Sequence, residues 1–177
     1  MIIFDTETTG LPEPKSAPLC NQPHIIEFGA IKVDDDFNEI DRMNVLIDPL
    51  IELPEIITKI TGITPEDLKG KPVFGDVVGD ISAFFLGEVS MVAHNLPFDR
   101  QLLCFELKRL RMVNRFPWPS NHLCTIELTK HRYQKWPKLE QLWREATGEE
   151  PQQTHRAIED CEMLLTVCKY LRTEGLM

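Results

Sequence analysis

The sequence predicts an α/β fold with a mixed central sheet flanked by helices. Three observations carry this: three leading runs rich in β-branched residues, later helical stripes alternating with short apolar runs, and a composition of 42% apolar and 27% charged residues that matches ordinary globular usage. At 177 residues there is room for one sizeable core, so residues 1–177 are expected to form a single domain.

Ile2 to Phe4, ending in Asp5, reads as the first strand, and His24 to Val33 and Glu39 to Ile47 as the next two. Asp34-Asp35-Asp36 supplies turn chemistry between the last two, so they are expected to form an antiparallel hairpin. Gly10 to Gln22, carrying Pro12, Pro14 and Pro18, is a long loop rather than a domain boundary. Pro54 to Ile60 and Pro65 to Leu68 read as short helices, the second capped by Thr64 with Pro65 at its first position. Val73 to Leu86 places its apolar residues on one helical stripe. Ser90 to Ala93 is a buried strand, after which Pro97 opens a helix lined by Leu102, Leu103, Leu107 and Leu110. A weaker strand near His122 to Thr125 leads into a helix, and Pro137 starts another that Gly148 stops. Ala157, Cys161, Leu164, Cys168 and Leu171 make the stripe of a final helix.

Composition excludes several classes. No apolar run approaches the roughly 18 residues of a spanning helix, and an acid stands where a signal peptide carries its basic end. Five cysteines without a C-x-x-C pair disfavour a disulfide framework and a zinc knuckle, so a reducing, cytoplasmic setting is expected. The net charge of −9 argues against an anionic partner, but its distribution does not. Between Lys108 and Lys138 eight lysines and arginines face one acid, Glu127, with Phe116, Trp118, Tyr133 and Trp136 interleaved. A single strand wants this mixture of phosphate attraction and base stacking. A solvated basic face with its aromatics tucked into the core explains the same stretch equally well.

Four acids carry the candidate chemistry. Asp5 and Glu7, two apart on a strand, leave the same face and can share a cation. Acidic pairs at this spacing are common by chance in so acidic a chain, and the following Thr8-Thr9-Gly10 turn is what distinguishes this one. Asp99 and Asp160 each stand at the start of a helix expected to pack on the sheet. The helix dipole alone would account for Asp99, whereas Asp160 borders an apolar stripe, where an unpaired charge is costly. Carboxylates without a matched Cys or His set select Mg²⁺ or Mn²⁺, and four acids suit two such ions at a phosphoryl centre. His155, five residues before Asp160 and preceded by Gln152, Gln153 and Thr154, is placed to accept a proton from water near neutral pH. Judged alone it also reads as a surface histidine capping a helix.

These residues fall into a recognisable series: Phe4-Asp5-Thr6-Glu7-Thr8-Thr9-Gly10, Ile26-Glu27-Phe28-Gly29-Ala30, Gly62-Ile63-Thr64, Ala93-His94-Asn95 with Phe98-Asp99, and His155-Arg156-Ala157 with Asp160. The series resembles the DEDD exonucleases, in the DEDDh subgroup typified by the proofreading epsilon subunit of bacterial DNA polymerase III. It runs from Met1 to about Tyr170 in the family's order. The resemblance implies a ribonuclease-H-like fold and metal-dependent removal of nucleotides from 3′ ends, releasing 5′ monophosphates. It implies that Asp5, Glu7 and Asp160 ligate the ion that activates water, that Asp5 also holds a second ion, and that Asp99 completes the set through water. His155 is then the general base, and Thr8, Leu11, His94, Asn95 and Phe98 surround the terminal nucleotide, with Leu11 as a wedge against its base.

The loop from Pro12 to Pro23 is longer than the family's usual link. The chain also ends just after its last helix, so a free-standing nuclease in repair, end processing or phage replication is expected, without a polymerase- or clamp-binding tail. Such relatives include homodimers, and this chain is compatible with one. The substrate expected is the 3′ end of single-stranded or frayed DNA. Short RNA is the nearest rival, since nothing in the motifs reads a 2′-hydroxyl. A catalytically silent nucleic-acid-binding module is a further rival, against which the retention of all five polar residues counts.

Overall fold

Alternation along the first strand decides how the protein is layered. The computed structural model describes residues 1–151 and 155–177, and within them β1 (Ile2–Thr8), β2 (Ile25–Val33), β3 (Glu39–Leu46), β4 (Ser90–Ala93) and β5 (Asn121–Cys124) form one sheet in the order β3-β2-β1-β4-β5. β1, β2 and β3 pair antiparallel, whereas β4 runs parallel to β1 and β5 parallel to β4. The helices are α1 (Glu55–Thr61), α2 (Pro65–Leu68), α3 (Phe74–Phe85), α4 (Leu96–Arg109), α5 (Thr125–Thr129), α6 (Leu139–Thr147) and α7 (Ala157–Thr173). The mixed sheet flanked by helices is the architecture the sequence predicts. No helix among the described residues is long and apolar enough to cross a membrane.

Because strand side chains alternate, Ile2 and Phe4 join Phe28, Ala30, Met91 and Ala93 on one face, under α3 and α4. Ile3 and its neighbours Ile31 and Val92 form the other face, against Leu139 and Leu142 of α6 and Cys161, Leu164 and Cys168 of α7. The seven-residue spacing of Cys161 and Cys168 thus places two buried thiols on the inner side of α7. A smaller cluster of Ile26, Leu53, Ile63 and Leu68 seats α1 and α2, the second capped by Thr64 in a reciprocal capping box with Asp67.

Two boundaries differ from the sequence reading. β1 continues past Asp5 to Thr8, because Glu7 pairs opposite Glu27 and Thr8 opposite Ile25, so ladder hydrogen bonds carry the strand beyond its apolar residues. α6 begins at Leu139 rather than Pro137, because the Pro137 carbonyl is held by His94.

One contact sets the separation of α7 from the sheet. A Cβ on Gly29, in the middle of β2, would lie 2.5 Å from the Ala157 carbonyl carbon and 2.6 Å from the Ile158 nitrogen. Both are backbone atoms, which cannot swing aside as a side chain would. Gly29→Ala is therefore expected to lift α7 and cost about 1–3 kcal/mol, as overpacking typically does. Urea denaturation should show a lower midpoint, and an unchanged midpoint would mean that α7 is not seated this closely.

Candidate functional site

The carboxyl ends of the parallel neighbours β1 and β4 open on the same side, where open α/β sheets generally bind ligands. From β1, Asp5 and Glu7 continue the face of Ile3, towards α7. From α7, Asp160 meets them in its first turn, itself only 7% exposed. One carboxylate oxygen from each of Asp5, Glu7 and Asp160 lies within 4.8 Å of the others, which is the spacing of a shared cation's ligands.

A second acid holds α7 in place. Glu27, fully buried on β2, accepts from the Ala157 N–H at 3.0 Å, satisfying one of the donors left open at the start of the helix. Its carboxylate also takes a forked pair of hydrogen bonds from Arg156, at 3.0 Å from Nε and 2.7 Å from the terminal nitrogen. Sequence reasoning noted Glu27 only as part of a motif. An acid inside the apolar run Ile25 to Ile31 was itself the signal that a buried partner was required.

Asp99 enters from α4 and is 3% exposed. Its Oδ1 accepts from the Thr6 N–H at 3.1 Å and the Thr6 hydroxyl at 2.8 Å, so Asp99 is tied to the strand residue between Asp5 and Glu7. The same helix repeats the device with Glu106, which accepts from the Ile25 N–H at 3.1 Å. Thr6 figures in the sequence reading only as part of its motif, because nothing local marks its link to Asp99.

Crowding these acids has an electrostatic consequence. Burial, then the charges of Asp99, Asp160, Glu7 and Glu27, push the Asp5 carboxyl well above the usual carboxylate range. Burial, with Asp160 next, pushes Glu7 up to about 8. Asp99 is raised to about 7 by burial, against the opposing hydrogen bonds from Thr6. The donor set fits a hard divalent cation: an all-oxygen cluster, closely spaced, whose ionised form needs a compensating positive charge.

The remaining candidates stand as follows. Thr8 is buried, its hydroxyl donating to the Gly10 carbonyl at 2.8 Å, and Leu11, just past that turn, is 79% exposed. Asn95 stands at the N-cap position of α4 without a side-chain capping bond, and Phe98 packs half-buried on the core. His94 is committed elsewhere: Nε2 donates to the Pro137 carbonyl at 3.1 Å, which leaves Nδ1 to accept from the Thr125 hydroxyl at 2.9 Å. Burial lowers its pKa, in keeping with a neutral ring. His155 lies half-buried two residues before α7, in a left-handed backbone conformation with φ of 51°. Gln152, Gln153 and Thr154 lie outside the described residues.

Comparison with known proteins gives consistent findings. A family model described as an exonuclease matches residues 2–168. Over 163 residues the chain is 32% identical to the PolC-type DNA polymerase III of Caldanaerobacter subterraneus subsp. tengcongensis, covering 91% of this chain and 11% of that protein. Over 134 residues it is 33% identical to the DNA polymerase III subunit epsilon of Rickettsia prowazekii (strain Madrid E), covering 75% of this chain and 55% of that one. The chain thus spans about a tenth of the PolC-type relatives and about half of this epsilon subunit. Among solved structures, Exonuclease X in complex with 5′ overhanging duplex DNA superposes with a TM-score of 0.69 at 23% identity, over 98% of this chain and 92% of that one. The nuclease domain of the DEDDh family member 3′hExo bound to rAMP gives 0.76 at 18% identity, with the same two coverages of 98% and 92%. The ribonuclease-H-like fold implied by the motifs is therefore the observed one.

The raised carboxyls make stability depend on pH. Between the ordinary value of Glu7, 4.5, and its folded value of about 8, the folded protein binds more protons than the unfolded chain. Stability without metal is then fullest below this window and falls as pH rises through it. Thermal melts in EDTA should show a declining Tm from about pH 5 to pH 8. Mg²⁺ or Mn²⁺ should raise Tm more at the alkaline end, and Asp5→Asn should blunt both trends. A wild-type Tm indifferent to pH and metal would contradict this electrostatic picture.

Proposed function

The chain belongs to the exonuclease family, and from that premise we propose that it removes nucleotides one at a time from the 3′ end of single-stranded or frayed DNA with two divalent cations, Mg²⁺ or Mn²⁺, releasing 5′ monophosphates. The observation that carries this reading is the convergence of Asp5, Glu7 and Asp160 within 4.8 Å at the end of the sheet, with Asp99 tied in behind them through Thr6. DNA is favoured over RNA because these relatives in sequence are named as a PolC-type DNA polymerase III and a DNA polymerase III subunit epsilon.

Asp5, Glu7 and Asp160 would hold the ions, with Asp99 completing the acidic set. When bound, the ions supply the positive charge that makes water nucleophilic at neutral pH and stabilises the departing 3′ oxygen. His155 takes the proton from the attacking water, the role histidine fills most often in general acid–base catalysis. Thr8, Asn95 and Phe98 surround the terminal nucleotide, and exposed Leu11 wedges against its base. His94, with both ring nitrogens engaged by Thr125 and Pro137, serves that pocket by fixing the turn from which Asn95 starts α4. A reducing intracellular setting, a single-domain organisation and compatibility with a homodimer belong to the same proposal.

A time course on 5′-labelled single-stranded DNA and matched RNA tests this. The expected result is a ladder shortening from the 3′ end, faster on DNA, dependent on Mg²⁺ or Mn²⁺ and abolished by EDTA. Faster loss of RNA would transfer the substrate assignment to RNA. Asp5→Ala and Asp160→Ala should each abolish cleavage while the fold persists, and wild-type turnover by either would falsify the ligand assignment. His155→Ala should lose about 10²–10⁴-fold in rate with Mn²⁺ affinity retained. A collapse of that affinity would make His155 a ligand instead.

A further inference from the structure

The long loop after the first motif is held rigidly against α4. Arg109 donates to the carbonyls of Gln22 at 2.6 Å and of Leu19 and Pro23 at 3.2 Å each. Gln22, itself buried, accepts from the Glu13 N–H at 3.0 Å and so closes the loop on itself. Between this loop and one face of α4 lies a groove of about 540 Å³. Its cations are Lys15 from the loop and Arg100 and Lys108 from the helix, and no carboxylate lines it.

In a chain of net charge −9, a preformed groove with three cations and no acid is a local exception that selects an anion. Arg100 is held with its guanidinium 5.0 Å from the centre of the Trp118 ring, while its buried Nε has no hydrogen-bond partner. Lys108 lies over Phe105, 5.8 Å from the ring centre, which leaves its ammonium free to meet a phosphate. The groove starts at Pro97, two residues before Asp99 in α4, and follows that helix to Lys108. The eleven steps from Pro97 to Lys108 at 1.5 Å each give it a length of about 16 Å, enough for about four or five stacked nucleotides at 3.4 Å per phosphate.

We propose that this groove is the track for the strand on the 5′ side of the scissile nucleotide, with Lys15, Arg100 and Lys108 holding its phosphates and half-buried Leu19 offering apolar surface to its bases. The assignment rests on the exonuclease reading and adds to it a length preference. Strands should gain in kcat/KM up to about six nucleotides, the terminal one plus those the groove holds, and little beyond.

The test compares wild type with Lys15→Glu/Lys108→Glu, two exposed positions outside the core, and with the milder Lys15→Gln/Lys108→Gln in case charge reversal impairs folding. The readouts are kcat and KM on deoxyoligonucleotides from two to twelve residues, and the salt dependence of binding to a twelve-residue strand in EDTA. The substitutions should raise KM for the octamer at least tenfold with kcat little changed, and so reduce the octamer-to-dinucleotide ratio of kcat/KM. The log–log salt slope should become shallower by about 0.7 for each phosphate contact removed. If wild type degrades no strand of any length, the exonuclease reading fails. If wild type is active but its length preference and salt slope survive both substitutions, the groove assignment alone is overturned.

Discussion

A buried carboxylate on a strand caps the first turn of the last helix, and the geometry of the site depends on it. Glu27 takes the Ala157 N–H and the forked guanidinium of Arg156, while its strand neighbour Gly29, two residues on, has no Cβ to keep the helix away. Gly29 is also the cross-strand partner of Asp5. The turn of α7 that rests on Gly29 therefore carries Asp160 over Asp5, and a single docking event both buries the helix and completes the acidic cluster. Removing Arg156 would leave the fully buried Glu27 carboxylate without its counter-charge, so the arrangement resists gradual adjustment.

The same device recurs at the ends of the sheet. Asp99 accepts from the Thr6 N–H and Glu106 from the Ile25 N–H, each fixing α4 to a strand through a backbone donor. Buried carboxylates thus act as structural pins, and the cluster of Asp5, Glu7 and Asp160 is the place where such groups are brought closest together. Burial first, and then the neighbouring charges led by Asp160, raise the Glu7 carboxyl to about 8, so that protons offset the crowding in the absence of metal. A bound cation would perform the same service and would also present positive charge to a phosphodiester.

Much of this was legible in the sequence because periodicity survives folding. The strand order along the chain, the α3 stripe, the Thr64 cap and the Gly148 stop follow from local patterns that tertiary contacts reinforce. The four acids stood out through their positions at element ends. The extension of β1 to Thr8 did not, because it depends on pairing with residues some twenty positions away. Nor did the link from Asp99 to Thr6, which joins residues 93 apart. The basic, aromatic stretch from Lys108 to Lys138 divides in space: Phe116 and Trp118 join the core, Lys130 and Arg132 pair with Glu127 and Glu174, and Arg109 tethers the long loop. Sequence proximity concealed this division, whereas Trp136, 67% exposed between Lys135 and Lys138, retains the character the stretch suggested.

The most direct measurement is anomalous diffraction from crystals of the protein soaked in Mn²⁺ together with a deoxynucleoside 5′-monophosphate. Manganese peaks ringed by the carboxylates of Asp5, Glu7 and Asp160, with the phosphate on the open side towards His155, are the expected result. Manganese bound only elsewhere, or carboxylates that stay metal-free at saturating Mn²⁺, would contradict the claim that the docking of α7 on Glu27 and Gly29 builds a cation site for phosphodiester cleavage.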